Sequence, residues 1–142
     1  MKAYADTSFL VSLYTPDANS GSAAAQMKNL RAVIFLTPFG ELELRNALEL
    51  RIFRGELTPS EVEAARAALR EDVEKGIYAI RPFPEAACER AKEMAHKRTA
   101  RLGTRTLDIM HVASALILRA DVLYSFDRNQ RKLARAEGLK TP

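Results

Sequence analysis

Short apolar runs of strand length alternate with longer amphipathic or apolar stretches of helix length along the chain. Tyr4 and Ala5 end a short buried strand that leads straight into Asp6, and Thr7 and Ser8 open an apolar, helix-like run to Tyr14. Ala32 to Leu36 (AVIFL), Ile77 to Ile80 (IYAI) and Val122 to Ser125 (VLYS) read as three further strands. Leu139 to Pro142 is a candidate fifth, short strand. Helices are expected over Ser20 to Leu30, from Pro38 behind a Thr37 cap to about Arg54, and from Thr58 or Ser60 to Lys75. Gly55 and Gly76 stop the last two. Further helices are expected from Glu85 to about Arg98, from Leu107 to Ala120 and after Asp127, with Thr99 to Thr106 as a basic connector. The alternation predicts an α/β fold, a parallel sheet with helices on both faces, in one domain over residues 1–142.

In such sheets the working crevice lies beyond the carboxyl ends of the strands. Asp6 and Asp127 both follow a strand directly, although a helix cap would also account for Asp127. On the helix of residues 38–54, Glu41, Arg45 and Glu49 form a solvated charged stripe. Glu43 falls instead on the largely apolar stripe of Phe39, Asn46, Leu50 and Phe53, where a carboxylate needs compensation. It is either bonded to nearby backbone or basic groups, or part of a site. Asp108 sits in the first turn of an apolar helix, where the dipole alone favours an acid. His111, one turn on, reads as a core or supporting group in preference to a metal ligand. Each acid has an ordinary explanation, but four of them in one small domain point to a cluster. Carboxylates within ~5 Å repel by ~3 kcal/mol per pair at an effective dielectric of 20, so a cluster must take up protons or a cation.

Composition narrows the chemistry. One cysteine and two histidines cannot assemble a zinc cluster, so metal ligands would be mostly oxygens, which suit Mg²⁺ or Mn²⁺. Cys88, near Ala87, Ala91 and Met94, reads as a small buried hydrophobe. The chain is 47% hydrophobic and 28% charged, with no apolar run long enough to span a bilayer and no secretory pattern at its start, so a cytoplasmic location is expected. Residues 1–89 carry 10 basic and 13 acidic side chains and residues 90–142 carry 12 and 5, a basic second half that suggests a polyanion partner. Oxygen-bound divalent ions at an exposed crevice suit phosphodiester hydrolysis.

Asp6-Thr7-Ser8 after the first strand, Glu43 with Asn46-Ala47, Leu107-Asp108 with His111 to Ala115, and Ser125-Phe126-Asp127 resemble the four motifs of PIN-domain nucleases. Length and motif spacing are most similar to the VapC toxins of bacterial and archaeal toxin–antitoxin pairs, and the resemblance runs from Lys2 to about Leu133. It implies a PIN-like three-layer fold whose five-stranded parallel sheet has the order 3-2-1-4-5. It implies that Asp6, Glu43, Asp108 and Asp127 hold one or two Mg²⁺ or Mn²⁺ ions, with Thr7 and Ser125 orienting metal-bound water or the carboxylates. It also implies endoribonuclease activity, a small VapB-like antitoxin partner and a homodimer. Glu41 is a rival for the second acid, and the last strand is short. Lys97, Arg98, Arg101 and Arg105, in or beside the connector leading to Asp108, are candidate phosphate contacts.

Two other enzyme readings fail on the residues. A haloacid dehalogenase-type phosphotransferase needs an Asp where Ser8 stands, and a dinucleotide-binding Rossmann domain needs a G-x-G-x-x-G run after the first strand, where none exists. The competing reading is a non-catalytic PIN-like module that binds RNA or protein.

Overall fold

The computed structural model describes all residues, Met1–Pro142. Its strands are β1 (Ala3–Ala5), β2 (Ile34–Leu36), β3 (Tyr78–Ile80) and β4 (Val122–Tyr124), all parallel, in the order β3-β2-β1-β4. Alternation along each strand sends its residues to two separate cores. Ala3, Ala5, Ile34, Leu36, Val122 and Tyr124 face one core, while Tyr4, Phe35 and Leu123 face the other. The first core is covered by α1 (Thr7–Tyr14), α2 (Ser20–Asn29), α3 (Pro38–Phe53) and α4 (Pro59–Glu74). The second is covered mainly by α5 (Ala87–Met94), α7 (Thr106–Ile117) and α8 (Arg128–Ala136). The result is the expected three-layer α/β/α arrangement.

Local chemistry sets the helix ends. Asp6, Thr37 and Asp127 cap α1, α3 and α8 through their side chains, and Thr58 with Glu61 forms a reciprocal capping box on α4. Gly55 and Gly76 follow α3 and α4 at positive φ, the conformation that favours glycine.

Three expectations need correction. The fifth strand is absent: Leu139 to Pro142 contributes only an isolated parallel bridge between Lys140 and Val122, on the far side of β4. Gly138 turns the chain at φ 90° and Pro142 has no N–H to donate, so three residues remain for pairing. The connector is shorter than Thr99 to Thr106. After α5 the helix widens into a π-helical turn (Ala95–Thr99) and closes with one α-turn, α6 (Ala100–Leu102), before Gly103 at φ 63°. Cys88 is exposed, because α5 buries Ala87, Ala91 and Met94 and the neighbouring position points to water. No helix is long and apolar enough to cross a membrane.

Candidate active site

Asp6 is the only residue between β1 and α1, so the strand delivers it directly to a helix N-terminus. Its Oδ1 accepts the Phe9 N–H at 3.0 Å and the Ser8 hydroxyl at 2.7 Å, and its Oδ2 accepts the Ser125 hydroxyl at 2.5 Å. Ser125 follows β4 immediately, and its Oγ accepts the Asp127 N–H at 3.0 Å. Ser8 Oγ accepts the Phe126 N–H at 2.9 Å. Two hydroxyls from opposite ends of the chain therefore tie the β1–α1 turn to the β4–α8 turn. Asp6 is only 2% exposed. Burial pushes its carboxyl above the ordinary range, and the bonds from Ser125, Phe9 and Ser8 offset this only in part.

Glu43 reaches the same place from α3. Its Oε1 lies 3.1 Å from His111 Nε2, while its Oε2 is buried with no hydrogen-bond partner, as is Thr7 Oγ1. Burial opposes ionisation of Glu43, but the bond from His111, the adjacent Thr7 hydroxyl and the nearby Arg105 outweigh it and hold the carboxyl below its usual range.

Asp108 lies in the first turn of α7 and is buried. Arg105, at the N-cap position, donates to both its oxygens, Nε to Oδ2 at 2.9 Å and Nη2 to Oδ1 at 3.2 Å. The same Nη2 reaches Asp127 Oδ2 at 3.1 Å, while Asp127 Oδ1 caps α8 by accepting the Gln130 N–H at 2.8 Å. The guanidinium thus clasps two of the four acids.

All four acids line one open crevice of about 560 Å³, together with Thr7, Ser8, Arg51, Arg54 and Arg105. They do not form a closed cage, since no three of them converge as a ready metal-ligand set. The donor chemistry nevertheless suits a hard cation. Each ionised carboxylate oxygen offers two lone pairs, and Asp6 Oδ2 uses one while Glu43 Oε2 uses none.

Glu41 is exposed and lines a separate depression between α3 and α4, with Arg45, Arg66 and Arg70. The stripe assigned to Glu43 is different from the one expected. Asn46, Leu50 and Phe53 are exposed, Phe53 at 87%, and the core face of α3 is Gly40, Leu44 and Leu48. Glu43 stands beside that face and shares the crevice wall with Ala47, Leu50, Arg51 and Arg54. Ser125 is buried beneath Asp6. Of the basic candidates, Arg105 lines the crevice; Arg98 is engaged by Glu137 and the Ala136 carbonyl, and Lys97 and Arg101 are exposed outside it. Sequence reasoning missed Arg51 and Arg54. Their helical spacing from Glu43, two and three turns on, was the available signal.

An α/β/α domain with an acidic crevice at the carboxyl ends of a parallel sheet is the class these features define. The chain belongs to the PIN domain family, whose pattern matches residues 3–136. Among solved structures its fold is similar to that of Mycobacterium tuberculosis VapC20, a sarcin-ricin loop cleaving toxin, at 21% identity and a TM-score of 0.73, over 96% of this chain and 95% of that one. It is also similar to VapBC2 from Rickettsia felis bound to a DNA fragment from its promoter (16% identity, TM-score 0.65, covering 100% and 98%). A third likeness is to FitAcB from Neisseria gonorrhoeae (17%, 0.65, covering 98% and 95%). At these identities the likeness is one of fold. No curated protein matches the chain by sequence.

Proposed function

We propose that this chain is an endoribonuclease dependent on Mg²⁺ or Mn²⁺ and the toxin of a VapBC-type pair, restrained by a small VapB-like antitoxin and assembled as a homodimer. The observation that carries the catalytic part is the meeting of Asp6, Glu43, Asp108 and Asp127 on one crevice from four separated segments of chain. A buried ionised oxygen that makes no well-formed hydrogen bond, such as Glu43 Oε2 beside the Thr7 hydroxyl, is costly unless a ligand compensates it. Those four carboxylates would hold the cation, which supplies an activated water and charge stabilisation on the phosphodiester oxygens.

The chain's own residues do the remaining work. Ser8 and Ser125 fix the Asp6 carboxylate in one orientation. Thr7 presents a hydroxyl with no other partner beside Glu43. Arg54 and Arg105, with Arg51 (itself paired with Asp17 and Glu56), line the crevice and bring positive charge to a polyanionic backbone. The toxin and antitoxin assignments rest on the fold likeness to VapC20 and VapBC2.

The test is cleavage of single-stranded RNA by the purified chain with Mg²⁺ or Mn²⁺. Activity should stop with EDTA and be absent in Asp6→Asn. Equal activity in EDTA removes the metal mechanism. One observation favours the alternative of a non-catalytic RNA- or protein-binding module, namely the Arg105 clasp on Asp108 and Asp127. RNA binding without cleavage under any divalent ion would select it.

A further inference from the structure

Behind Glu43 lies a hydrogen-bonded chain of buried groups that the crevice itself does not use. Tyr4, at the centre of β1, is fully buried, and His111 is 1% exposed. Tyr4 Oη lies 2.9 Å from His111 Nδ1, and His111 Nε2 lies 3.1 Å from Glu43 Oε1. The imidazole cannot turn freely. Phe39 packs against it with ring centroids 4.9 Å apart, and the Tyr4 ring meets it edge-on at 5.7 Å. An ionised carboxylate only accepts hydrogen bonds, so the nitrogen facing Glu43 must carry a proton. In the neutral ring Nδ1 is then bare, so the Tyr4 hydroxyl donates to it, and the polarity of the relay follows from its Glu43 end.

We propose that Tyr4 and His111 are positioning residues for Glu43. The relay selects the Nε2–H tautomer and pins Oε1, which leaves Oε2, an oxygen that makes no well-formed hydrogen bond, for a ligand of the crevice. The relay orders one carboxylate of the set before any cation arrives. Its consequence for metal binding rests on the function proposed above; its geometry does not. Hydrogen-bond partners of ligating groups are worth 10–100-fold in metal affinity or activity when removed.

The experiment has two arms on the full chain. In ¹⁵N-histidine-labelled, metal-free protein at pH 8, long-range ¹H–¹⁵N spectra report the tautomer of each ring, and exposed His96 serves as the internal reference. His111 should be in the Nε2–H form, and Tyr4→Phe should keep that tautomer but shift the Nδ1 resonance, which loses its donor, while His96 stays unchanged. An Nδ1–H form in the wild type, or an Nδ1 resonance indifferent to Tyr4→Phe, overturns the relay. In the second arm, Mn²⁺ calorimetry and RNA kinetics compare wild type, Tyr4→Phe, His111→Ala and His111→Gln. His111→Ala should bind Mn²⁺ roughly 10–100-fold more weakly and lose kcat with KM little changed. His111→Gln, whose amide can still donate to Oε1, should recover most of the loss. Mn²⁺ binding by His111→Ala as tight as that of the wild type overturns the positioning role. If His111→Ala does not fold, Tyr4→Phe, which removes one oxygen, carries this arm. A wild type that binds no Mn²⁺ refutes the nuclease reading instead, and the tautomer arm still decides the relay.

Discussion

Replacing Arg105 with alanine removes three hydrogen bonds at once, two to Asp108 and one to Asp127. Those from Arg105 are the only hydrogen bonds the Asp108 carboxylate accepts, whereas Asp127 keeps the Gln130 N–H. Because one nitrogen touches both carboxylates, the facing oxygens are at most ~6 Å apart, and without the guanidinium they repel by ~3 kcal/mol at an effective dielectric of ~20. The Arg105 side chain is 67% exposed, so water and salt screen much of this. A net loss of about 1–2 kcal/mol from the metal-free protein follows, or roughly 3–7 °C in melting temperature for a chain of this size. Thermal melts at low ionic strength should record that drop, and high salt should shrink it. Adding Mn²⁺ should then raise the melting temperature more in Arg105→Ala than in the wild type, since the cation no longer competes with the guanidinium. An unchanged metal-free melting temperature would show the clasp to be a solvated contact, and equal Mn²⁺ responses would refute the competition.

Asp6 and Glu43 should respond to neutralisation in opposite directions. Burial raises the Asp6 carboxyl above its ordinary value of 3.8, so its ionisation weakens the fold as pH rises through that range; Asp6→Asn should melt higher than the wild type at pH 7, with the gap closing below about pH 4, and a pH-independent gap would contradict this. Glu43 is held below its ordinary value, so it stabilises the fold above that value and the contribution is lost as pH falls; Glu43→Gln should abolish cleavage without stabilising the metal-free protein. Glu41→Gln, on the exposed face, should change stability by at most a few tenths of a kcal/mol and keep activity; a dead Glu41→Gln variant would move the site. Arg54→Ala should lower the salt slope of single-stranded RNA binding by roughly 0.7 per lost phosphate contact, and the same measurement on Lys97→Ala and Arg101→Ala decides whether the bank beyond the connector takes part. Expression of the chain alone should slow bacterial growth and a cognate small partner should reverse it; harmless expression of an active protein would leave a nuclease but remove the toxin role.

The strand-end acids were legible because local pattern alone exposes them. Tyr4 and Ala5 must be buried, Asp6 must not continue a strand, and the same logic holds for Val122 to Tyr124 and Asp127. Asp108 was legible as a first-turn acid. What could not be read was set by contacts across the chain. Arg105 and Asp108 are three apart, a spacing visible in the sequence, but the second half of the clasp reaches Asp127 across 22 positions. The Tyr4–His111–Glu43 relay joins residues 107 and 68 positions apart, and no periodicity encodes it. The apolar stripe does not account for the place of Glu43, because such a stripe on α3 marks exposed surface as well as core, as Leu50 and Phe53 illustrate. Cys88 failed in a similar way. Small neighbours in sequence need not share its face of the helix.

The proposed nuclease stands on Asp6, Glu43, Asp108 and Asp127 forming one divalent-metal site. Crystals grown with Mn²⁺ and measured at the manganese absorption edge test it directly, because anomalous density locates the ion independently of any assay. At least one Mn²⁺ should lie in the crevice, ligated by carboxylates of this set including Glu43 Oε2, with the Arg105 guanidinium displaced from between Asp108 and Asp127. Manganese elsewhere on the surface, or an empty crevice with Arg105 still clasped at saturating Mn²⁺, would contradict it.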